Sequence, residues 1–527
     1  MVRLIMPSSL IRDKIYCHEY DIDFCGPYCS VKCMTDTVKL TKINEVYMGI
    51  LAPEYIYQEL SDYFTFSVPG AWFQPSYRNK NWDGKIRLFN RRNNTLYLGL
   101  LPYIELLCHK SGYKLAHDGS FEAPEQYSGK EAIDFVKSLE LPEKIVPREY
   151  QLQAFVRSIR DRRNLLLSPT ASGKSLIIYF LIRYYRRKTL ILVPTINLTS
   201  QMYTDFQDYG FDSERYCHVI TAGADKISDK PIVISTWQSL YDMKPHIFKD
   251  YRVVIGDEAH LFKAKSLKKI MGMLPNAKYR HALTGTLDNL ETNRLTIEGL
   301  FGSVRKITTT KELIDKGHLS PFRIKALILD HPEDVSREHK KDTYQEEVDF
   351  LVSNESRSKF IKNLALSLKG NTLLLFQLVD KHGRLLYNGI QQDAEKGRKV
   401  FFVCGETEKD DREAIRKILE TERNAIIVAS YGTFSTGVNI PSIEHLIFAS
   451  PSRSRIRVLQ SIGRALRQNP GKKEAILYDI ADDMSYADHR NYTLNHFAER
   501  MKIYNSEEFD YKIYKVKIDG KRNLYEG

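Results

Sequence analysis

The stretch Ser168-Pro-Thr-Ala-Ser-Gly-Lys-Ser175 constrains this chain more than any other. It follows the apolar run Asn164-Leu-Leu-Leu167 and opens Leu176-Ile-Ile-Tyr-Phe-Leu-Ile-Arg-Tyr-Tyr185, where apolar residues recur at helical spacing. A strand that turns through Gly-Lys-Ser into a helix has the geometry of a P-loop, in which backbone N–H groups and a helix N-terminus face a polyphosphate. On that reading Ser168, Pro169, Thr170, Ala171, Ser172 and Gly173 cradle the phosphates of ATP. Lys174 reaches the β- and γ-phosphates, and Ser175 holds Mg²⁺ through its hydroxyl. Ser168 stands where the general pattern has its first glycine.

Downstream, the short apolar runs Thr189–Pro194, Pro231–Thr236 and Arg252–Gly256 alternate with helical stretches, which predicts a parallel sheet. The third run ends in Asp257-Glu-Ala-His260. Two carboxylates at the end of a strand beside a P-loop divide the labour: Asp257 is expected to hold Mg²⁺ through water, and Glu258 to orient and deprotonate the attacking water. After Pro321 a second set of runs begins, at Asn371–Phe376, Lys399–Cys404, Asn424–Ser430, His445–Ala449 and Glu474–Asp479. None is followed by a Gly-Lys-Ser loop, so a second lobe is expected without a nucleotide site of its own. It does carry Gln460-Ser-Ile-Gly-Arg-Ala-Leu-Arg467. Guanidinium groups three residues apart share a helix face, so Arg464 and Arg467 can point together across a cleft at a γ-phosphate.

The 527 residues suffice for roughly three to four domains. A net charge of +12 favours a polyanionic partner. No apolar run approaches the roughly 18 residues of a membrane span, and the N-terminus lacks a signal-peptide core, so a cytoplasmic protein without membrane partners is expected. The positive charge gathers before the P-loop, where Arg78, Lys80, Lys85, Arg87, Arg91 and Arg92 face only the acid Asp83 and interleave with Trp72, Phe73, Tyr77, Trp82, Phe89 and Tyr97. Cations that neutralise phosphates and rings that stack on bases suit DNA, with Trp82 and Phe89 better read as core. In this region Tyr55–Phe64 reads as a helix, and Phe64–Val68 and Asn81–Phe89 as strand-like runs with Asp83-Gly84 as a hairpin-turn signal. Residues 119–129 read as a linker, followed by a helix over Lys130–Leu139. The last stretch reads as a helix and strand with Tyr504, Tyr511 and Tyr514 as packing residues. Cys17, Cys25, Cys29 and Cys33, with His18, could complete a zinc site, although the spacing is not a standard one and free thiols are the plainer reading. Met34 as an alternative start would remove the cluster.

Taken in order, Gln151, Pro169–Ser175, Val193-Pro-Thr195, Ser235-Thr-Trp-Gln238, Asp257–His260 and Thr284-Gly-Thr286 resemble the first motor lobe of superfamily-2 helicases, and Gln460–Arg467 resembles their motif VI. Asn81-Trp-Asp-Gly-Lys-Ile-Arg-Leu88, Tyr344-Gln-Glu-Glu347 and Ala429–Gly437 are similar to the recombination and repair helicases of tailed phages. The similarity runs from about Lys39 nearly to the end and leaves the first 36 residues outside. The resemblance implies an α/β protein of two tandem RecA-like parallel-sheet lobes, at 126–320 and 321–480, with a small α+β DNA-binding domain at 37–120. A Cys-rich extension at 1–36 would precede them, and a helix and strand at 481–527 would pack on the second lobe. It further implies that the Gln151 amide meets the adenine edge, that Gln460 joins the two arginines, and that Gly437 reaches ATP. Thr195, Gln238 and Thr436 would touch the nucleic-acid backbone, while Asn439 stands in place of a common aspartate and gets no hydrolytic role. The implied activity is ATP-dependent remodelling of branched or double-stranded DNA: Holliday junctions, stalled forks, displacement loops and RNA–DNA hybrids. A monomer in a host-cell cytoplasm, working beside a single-strand-binding protein, completes the expectation. An RNA helicase, or an annealing protein with a vestigial ATPase, stays open as an alternative.

Overall fold

Two all-parallel sheets of seven strands each dominate the structure, a computed structural model that describes residues 36–518 except 222–224, 263–264, 288–290, 434–441, 451–453 and 470–471. The cysteine cluster with His18, and Thr436, Gly437 and Asn439, lie outside the described residues.

The N-terminal part consists of β1 (Thr37–Lys42), β2 (Tyr47–Leu51), β3 (Thr65–Ser67), β4 (Lys85–Arg87), β5 (Thr95–Tyr97) and β6 (Lys114–His117). Four of them form a mixed sheet in the order β5-β2-β1-β6. Alternation along the strands buries Val38, Leu40, Met48 and Ile50 on one face, against Ile56 and Leu60 of the helix Glu54–Tyr63. The ribbon β3-β4 is antiparallel, but Asp83-Gly84 is not its hairpin turn. The strands are joined instead by residues 68–84, which fold into the short helices Ala71–Phe73 and Pro75–Arg78. Gly84 takes φ +75°, its carbonyl accepts the Val68 N–H at 2.8 Å, and a Cβ there would stand 3.0 Å from Ala71 and Tyr77. The dipeptide therefore closes an insertion rather than a two-residue loop.

The first large sheet is built from β7 (Arg163–Leu167), β8 (Thr189–Val193), β9 (Cys217–Ile220), β10 (Ile232–Thr236), β11 (Val253–Asp257), β12 (Tyr279–Thr284) and β13 (Val304–Lys306). Their order is β13-β7-β12-β11-β8-β10-β9. Every residue of β8 and β10 is buried, as expected of parallel strands covered by helices on both faces. Because all strands run the same way, the loops after β7, β8, β10, β11 and β12 emerge at one edge. That edge is where ligands bind in open parallel sheets.

The N-terminal part is seated firmly on this lobe. A Cβ on Gly99 would stand 2.1 Å from the Glu298 carbonyl, and one on Gly299 would stand 2.9 Å from Tyr97 Cβ. Glu45 bridges the same boundary, with its N–H donating to Pro275 O at 2.9 Å and its carboxylate pairing with Arg163 at 3.0 Å. Residues 119–129 are pinned as well: Arg160 Nε donates to Tyr127 O at 2.6 Å, and Glu122 pairs with Arg162 and Lys278. The helix after them runs Gly129–Lys137 behind a Ser128/Glu131 capping box.

The second large sheet comprises β14 (Phe322–Asp330), β15 (Thr372–Phe376), β16 (Val400–Val403), β17 (Ile426–Ser430), β18 (His445–Phe448), β19 (Ala475–Asp483) and β20 (Tyr511–Lys517), in the order β16-β17-β15-β18-β19-β14-β20. The C-terminal strand β20 thus extends the sheet itself, beside β14. Two buried ion pairs fasten helices to it. Arg500, on Tyr492–Ser506, meets Asp479 at 2.8 Å, and Tyr504 O–H donates to the same carboxylate at 2.8 Å. Arg357, on Glu355–Ser367, meets Asp482 at 2.8 Å. Among the described residues no helix is long and apolar enough to cross a membrane.

Candidate active site between the two lobes

At the end of β7 the chain makes its phosphate-binding turn. Ala171 adopts φ +67° and Gly173 φ +76°, so successive peptide N–H groups turn inward before the helix Lys174–Tyr185 begins. A Cβ on Gly173 would lie 2.4 Å from Gln151 Nε2, so Gly173 cannot be replaced without expelling that amide. Gln151 is 3% exposed; its Nε2 donates to Ser172 O at 3.0 Å and Gly173 O at 3.3 Å, and its Oε1 accepts the Arg148 N–H at 2.8 Å. In this arrangement the amide braces the loop from behind, and contact with an adenine edge would take place at the expense of one of these bonds. Tyr150 O–H adds a bond to Ser172 O at 2.7 Å, and Ser168 Oγ donates to Ser172 Oγ at 2.7 Å. Ser168 therefore ties the loop across its base, which is what its hydroxyl contributes in the place of a glycine. Lys174 Nζ lies 3.5 Å from Pro169 O.

Asp257 ends β11, and Glu258 follows it in the left-handed region at φ +51°, a conformation costly for a non-glycine residue. Burial and the adjacent Glu258 charge push the Asp257 carboxyl upward, against the opposing Lys174 charge. Burial would raise Glu258 too, but a hydrogen bond from His260 and the charges of Lys174, His260 and Arg464 hold it below the usual carboxylate range. His260 Nδ1 lies 3.4 Å from Glu258 and 3.1 Å from Thr284 Oγ1, which links the Asp-Glu-Ala-His segment to Thr284-Gly-Thr286 on the neighbouring strand. The carboxylates of Asp257 and Glu258 and the Ser175 hydroxyl are oxygen donors of the kind Mg²⁺ takes, and the two adjacent buried acids repel each other in the absence of a cation. In donor chemistry these residues fit that ion.

The second lobe supplies the facing wall. Gly463, on the helix Arg455–Ala465, sits so close to the P-loop that a Cβ there would fall 2.6 Å from Thr170 Cβ. Ala171 packs against the hydrophobic core of the second lobe, to which Tyr150 also belongs. Gln460 is half-buried on the same helix. Arg464, one residue beyond Gly463, interacts with Glu258, and burial together with Arg467 pulls its pKa down to about 10. Arg467 is likewise held low by burial, with the Asp205 charge opposing. The end of this helix is fixed to the connection between the lobes: Ser320 N–H donates to Leu466 O at 2.9 Å and Ser320 Oγ to Arg467 O at 3.3 Å.

Two contributors, Tyr209 and Asp205, were not legible in the sequence. Tyr209 O–H and Ser175 Oγ share a hydrogen bond at 2.8 Å, and Asp205, one turn earlier, bonds the same hydroxyl while facing Arg467. Their i,i+4 spacing was visible, but nothing in the sequence aims their helix at Ser175. Thr195 and Gln238 follow the C-terminal ends of the adjacent strands β8 and β10, Thr195 half-buried as the cap of Ile196–Asp208 and Gln238 exposed.

The basic residues of the N-terminal part separate into two groups. Arg78, Lys80, Lys85 and Arg92 are exposed, and Arg78 Nε donates to Trp72 O at 3.2 Å. Arg87 is exposed but bound by both Asp83 oxygens. Arg91 is committed to the fold, paired with Glu54 and lying 4.6 Å above the Tyr57 ring. Phe89 is core and Trp82 is half-buried with its N–H on Lys85 O at 2.8 Å, whereas Trp72 and Phe73 are 58% and 68% exposed. These two rings on a basic insertion are therefore not part of the core.

A P-loop on one RecA-like lobe and a pair of arginines presented by a second define an ATP-hydrolysing motor of the helicase class. Three family descriptions match successive parts of the chain: "DNA helicase UvsW, N-terminal" at 38–118, "Type III restriction enzyme, res subunit" at 144–289 and "Helicase conserved C-terminal domain" at 356–469. The ATP-dependent DNA helicase uvsW of Enterobacteria phage T4 is 34% identical over 88% of this chain and 96% of its own length. The DNA 3'-5' translocase XPB2 of Sulfurisphaera tokodaii is 26% identical over 66% of this chain and 84% of its own. A solved structure of the type ISP restriction-modification enzyme LlaBIII, bound to DNA, shares the fold with a TM-score of 0.54 at 14% identity, over 78% of this chain and 34% of that one. The chain belongs to the UvsW family of helicases, and it is an ATP-dependent DNA helicase.

Proposed function

We propose that this helicase remodels branched DNA, coupling lobe closure on ATP to movement of a strand past a ribbon that rides on the first lobe. The observation that carries the reading is the division of the site. Lys174, Asp257 and Glu258 belong to one lobe and Arg464 and Arg467 to the other, in direct contact through Thr170 and Gly463. Ser175 and Asp257 would hold Mg²⁺, which would supply charge neutralisation at the phosphates. Lys174 binds the same phosphates, Glu258 accepts the proton of the attacking water, and Arg464 and Arg467 stabilise charge that develops on the transferred group. Gln460 positions the two arginines. With the γ-phosphate gone, the arginines lose their anion and closure loses its bridge, so each turnover shifts one lobe against the other.

Thr195 and Gln238 at the first lobe's strand ends suit contacts with a strand backbone, and Thr436 is their proposed counterpart on the second. Arg78, Lys80, Lys85 and Arg92 suit duplex phosphates, and the exposed Trp72 and Phe73 rings suit the unstacked bases of a branch point. The similarity to a phage DNA helicase, uvsW, supports DNA as the substrate; a recombination and repair setting, with four-way junctions, forks, displacement loops and RNA–DNA hybrids, is the finer part of the proposal. The domain divisions at about 120, 320 and 480 are part of the same reading, with the residues after 480 completing the second lobe. The test is ATPase stimulation across single strands, duplexes, forks, four-way junctions and RNA hybrids. Stimulation strongest on forks and junctions is expected, and equal stimulation by plain single strands would contradict the branch reading.

A further inference from the structure

Between the ribbon and the motor lies a cleft of about 450 Å³ that the ATP site does not use. The N-terminal part contributes Tyr47, Ile86, Arg87, Asn93 and Tyr97, and the first lobe contributes Lys268 from the helix Lys265–Gly272. The two tyrosine rings stack at 5.3 Å. They cannot slide apart freely, because Tyr97 is pressed onto Gly299, where a Cβ would come within 2.9 Å of it. The floor of the cleft is therefore formed before any ligand arrives.

Its charge is unbalanced. Arg87 is paired with Asp83, but Lys268 is half-buried and, among the described residues, has neither a hydrogen bond nor an ion pair. Burial and the neighbouring Lys265 charge hold its pKa down, which is the condition of a cation lacking its anion. An aromatic floor, an aliphatic wall at Ile86, an amide at Asn93 and an unmatched ammonium correspond in turn to the face, flank, edge and phosphate of one nucleotide. The surroundings point the same way. Lys269, the next residue, lies 4.2 Å from the Tyr241 ring and donates to Tyr241 O at 3.2 Å, and Tyr241 ends the short helix that carries Gln238. The cleft thus adjoins a candidate strand contact of the motor on one side and the basic ribbon on the other.

We propose that this cleft receives a single unpaired nucleotide from the DNA strand passing between the motor and the ribbon; the inference rests on the reading that the N-terminal part contacts DNA. Such a seat would hold the separated strand after each step and keep it from re-pairing at the branch. Because stacking on tyrosine tolerates every base, it would act without sequence preference.

The experiment uses the full chain with forked DNA carrying 2-aminopurine at successive positions on each strand. For the wild type, emission should rise at one position beside the branch. Lys268→Ala should remove that rise and weaken fork binding by up to about tenfold, the scale of one charge-assisted phosphate contact. 5-Iodouracil at the same position should crosslink to Tyr47 or Tyr97. An emission rise unaffected by Lys268→Ala, or crosslinks only to peptides outside the cleft, would overturn the proposal. A variant with Arg78, Lys80 and Lys85 all changed to Ala scores the underlying reading separately. Unchanged fork affinity there contradicts DNA contact by this domain, whereas weakened affinity with a Lys268-independent signal contradicts the cleft alone.

Discussion

Lys174, Glu258 and Arg464 form one electrostatic set drawn from three separate stretches of chain, each group altering the ionisation of another. Replacing Lys174 with Ala or Glu258 with Gln should lower ATP turnover by roughly 10²- to 10⁴-fold, the range for loss of a charge-stabilising or proton-accepting group. DNA affinity should hold, since neither side chain faces the ribbon, and parallel ATPase and fork-binding titrations check both halves. Arg464→Ala should cost roughly 10³-fold or more in kcat with a smaller change in KM, as for an arginine that acts mainly in the transition state; a loss confined to KM would make it a binding residue. These positions were legible in the sequence because a P-loop, an Asp-Glu-Ala-His strand end and paired arginines each need their residue types at fixed spacing. Asp205 and Tyr209 were not, because what gives them a role is the angle of a helix rather than a local pattern.

Among the elements, the buried strands announced themselves as apolar runs, and those runs sit where β8, β10, β11, β15 and β17 are found. β14 did not, because Arg323 and Lys325 interrupt its first half and leave only Ala326–Leu329 as a short continuous apolar run. Nor did β13, at three residues, or β9, whose Cys217-His218 start lacks a continuous apolar stretch. The Asp83-Gly84 signal failed for a related reason: a turn dipeptide fixes a local bend but not which strands it joins. The Arg357–Asp482 pair shows what patterning leaves out, since a fully buried carboxylate is recognisable only once its partner is beside it. Burial opposes the Asp482 charge, but Arg357 and His331 hold its carboxyl at about 2, below the ordinary 3.8. The stabilisation this represents is present above pH 4 or so and is lost as pH falls toward the folded-state value. Asp482→Asn should destabilise the protein by about 3–5 kcal/mol near neutral pH, since it strands the buried guanidinium. In denaturant titrations the deficit relative to wild type should shrink between about pH 4 and pH 2; a deficit independent of pH would mean the pair is not what holds the helix.

For the whole molecule, the proposed division of the site implies that hydrolysis requires the two lobes to touch. Gly463 marks the contact: a Cβ there meets Thr170 at 2.6 Å. Gly463→Ala should oppose closure by about 1–3 kcal/mol, the usual cost of overpacking. That corresponds to roughly ten- to hundredfold slower ATP turnover, with nucleotide-independent DNA binding preserved. The N-terminal part is seated on the first lobe through Gly99, Gly299 and Glu45, so under the proposed mechanism ribbon and P-loop travel together and the second lobe moves against them. The measurement that tests the central claim most directly is a crystal structure of the chain with Mg²⁺ and a non-hydrolysable ATP analogue. Arg464 and Arg467 should both lie within hydrogen-bonding distance of the γ-phosphate held by Lys174. Arginines turned away from that phosphate, with the lobes closed around the nucleotide, would contradict the account.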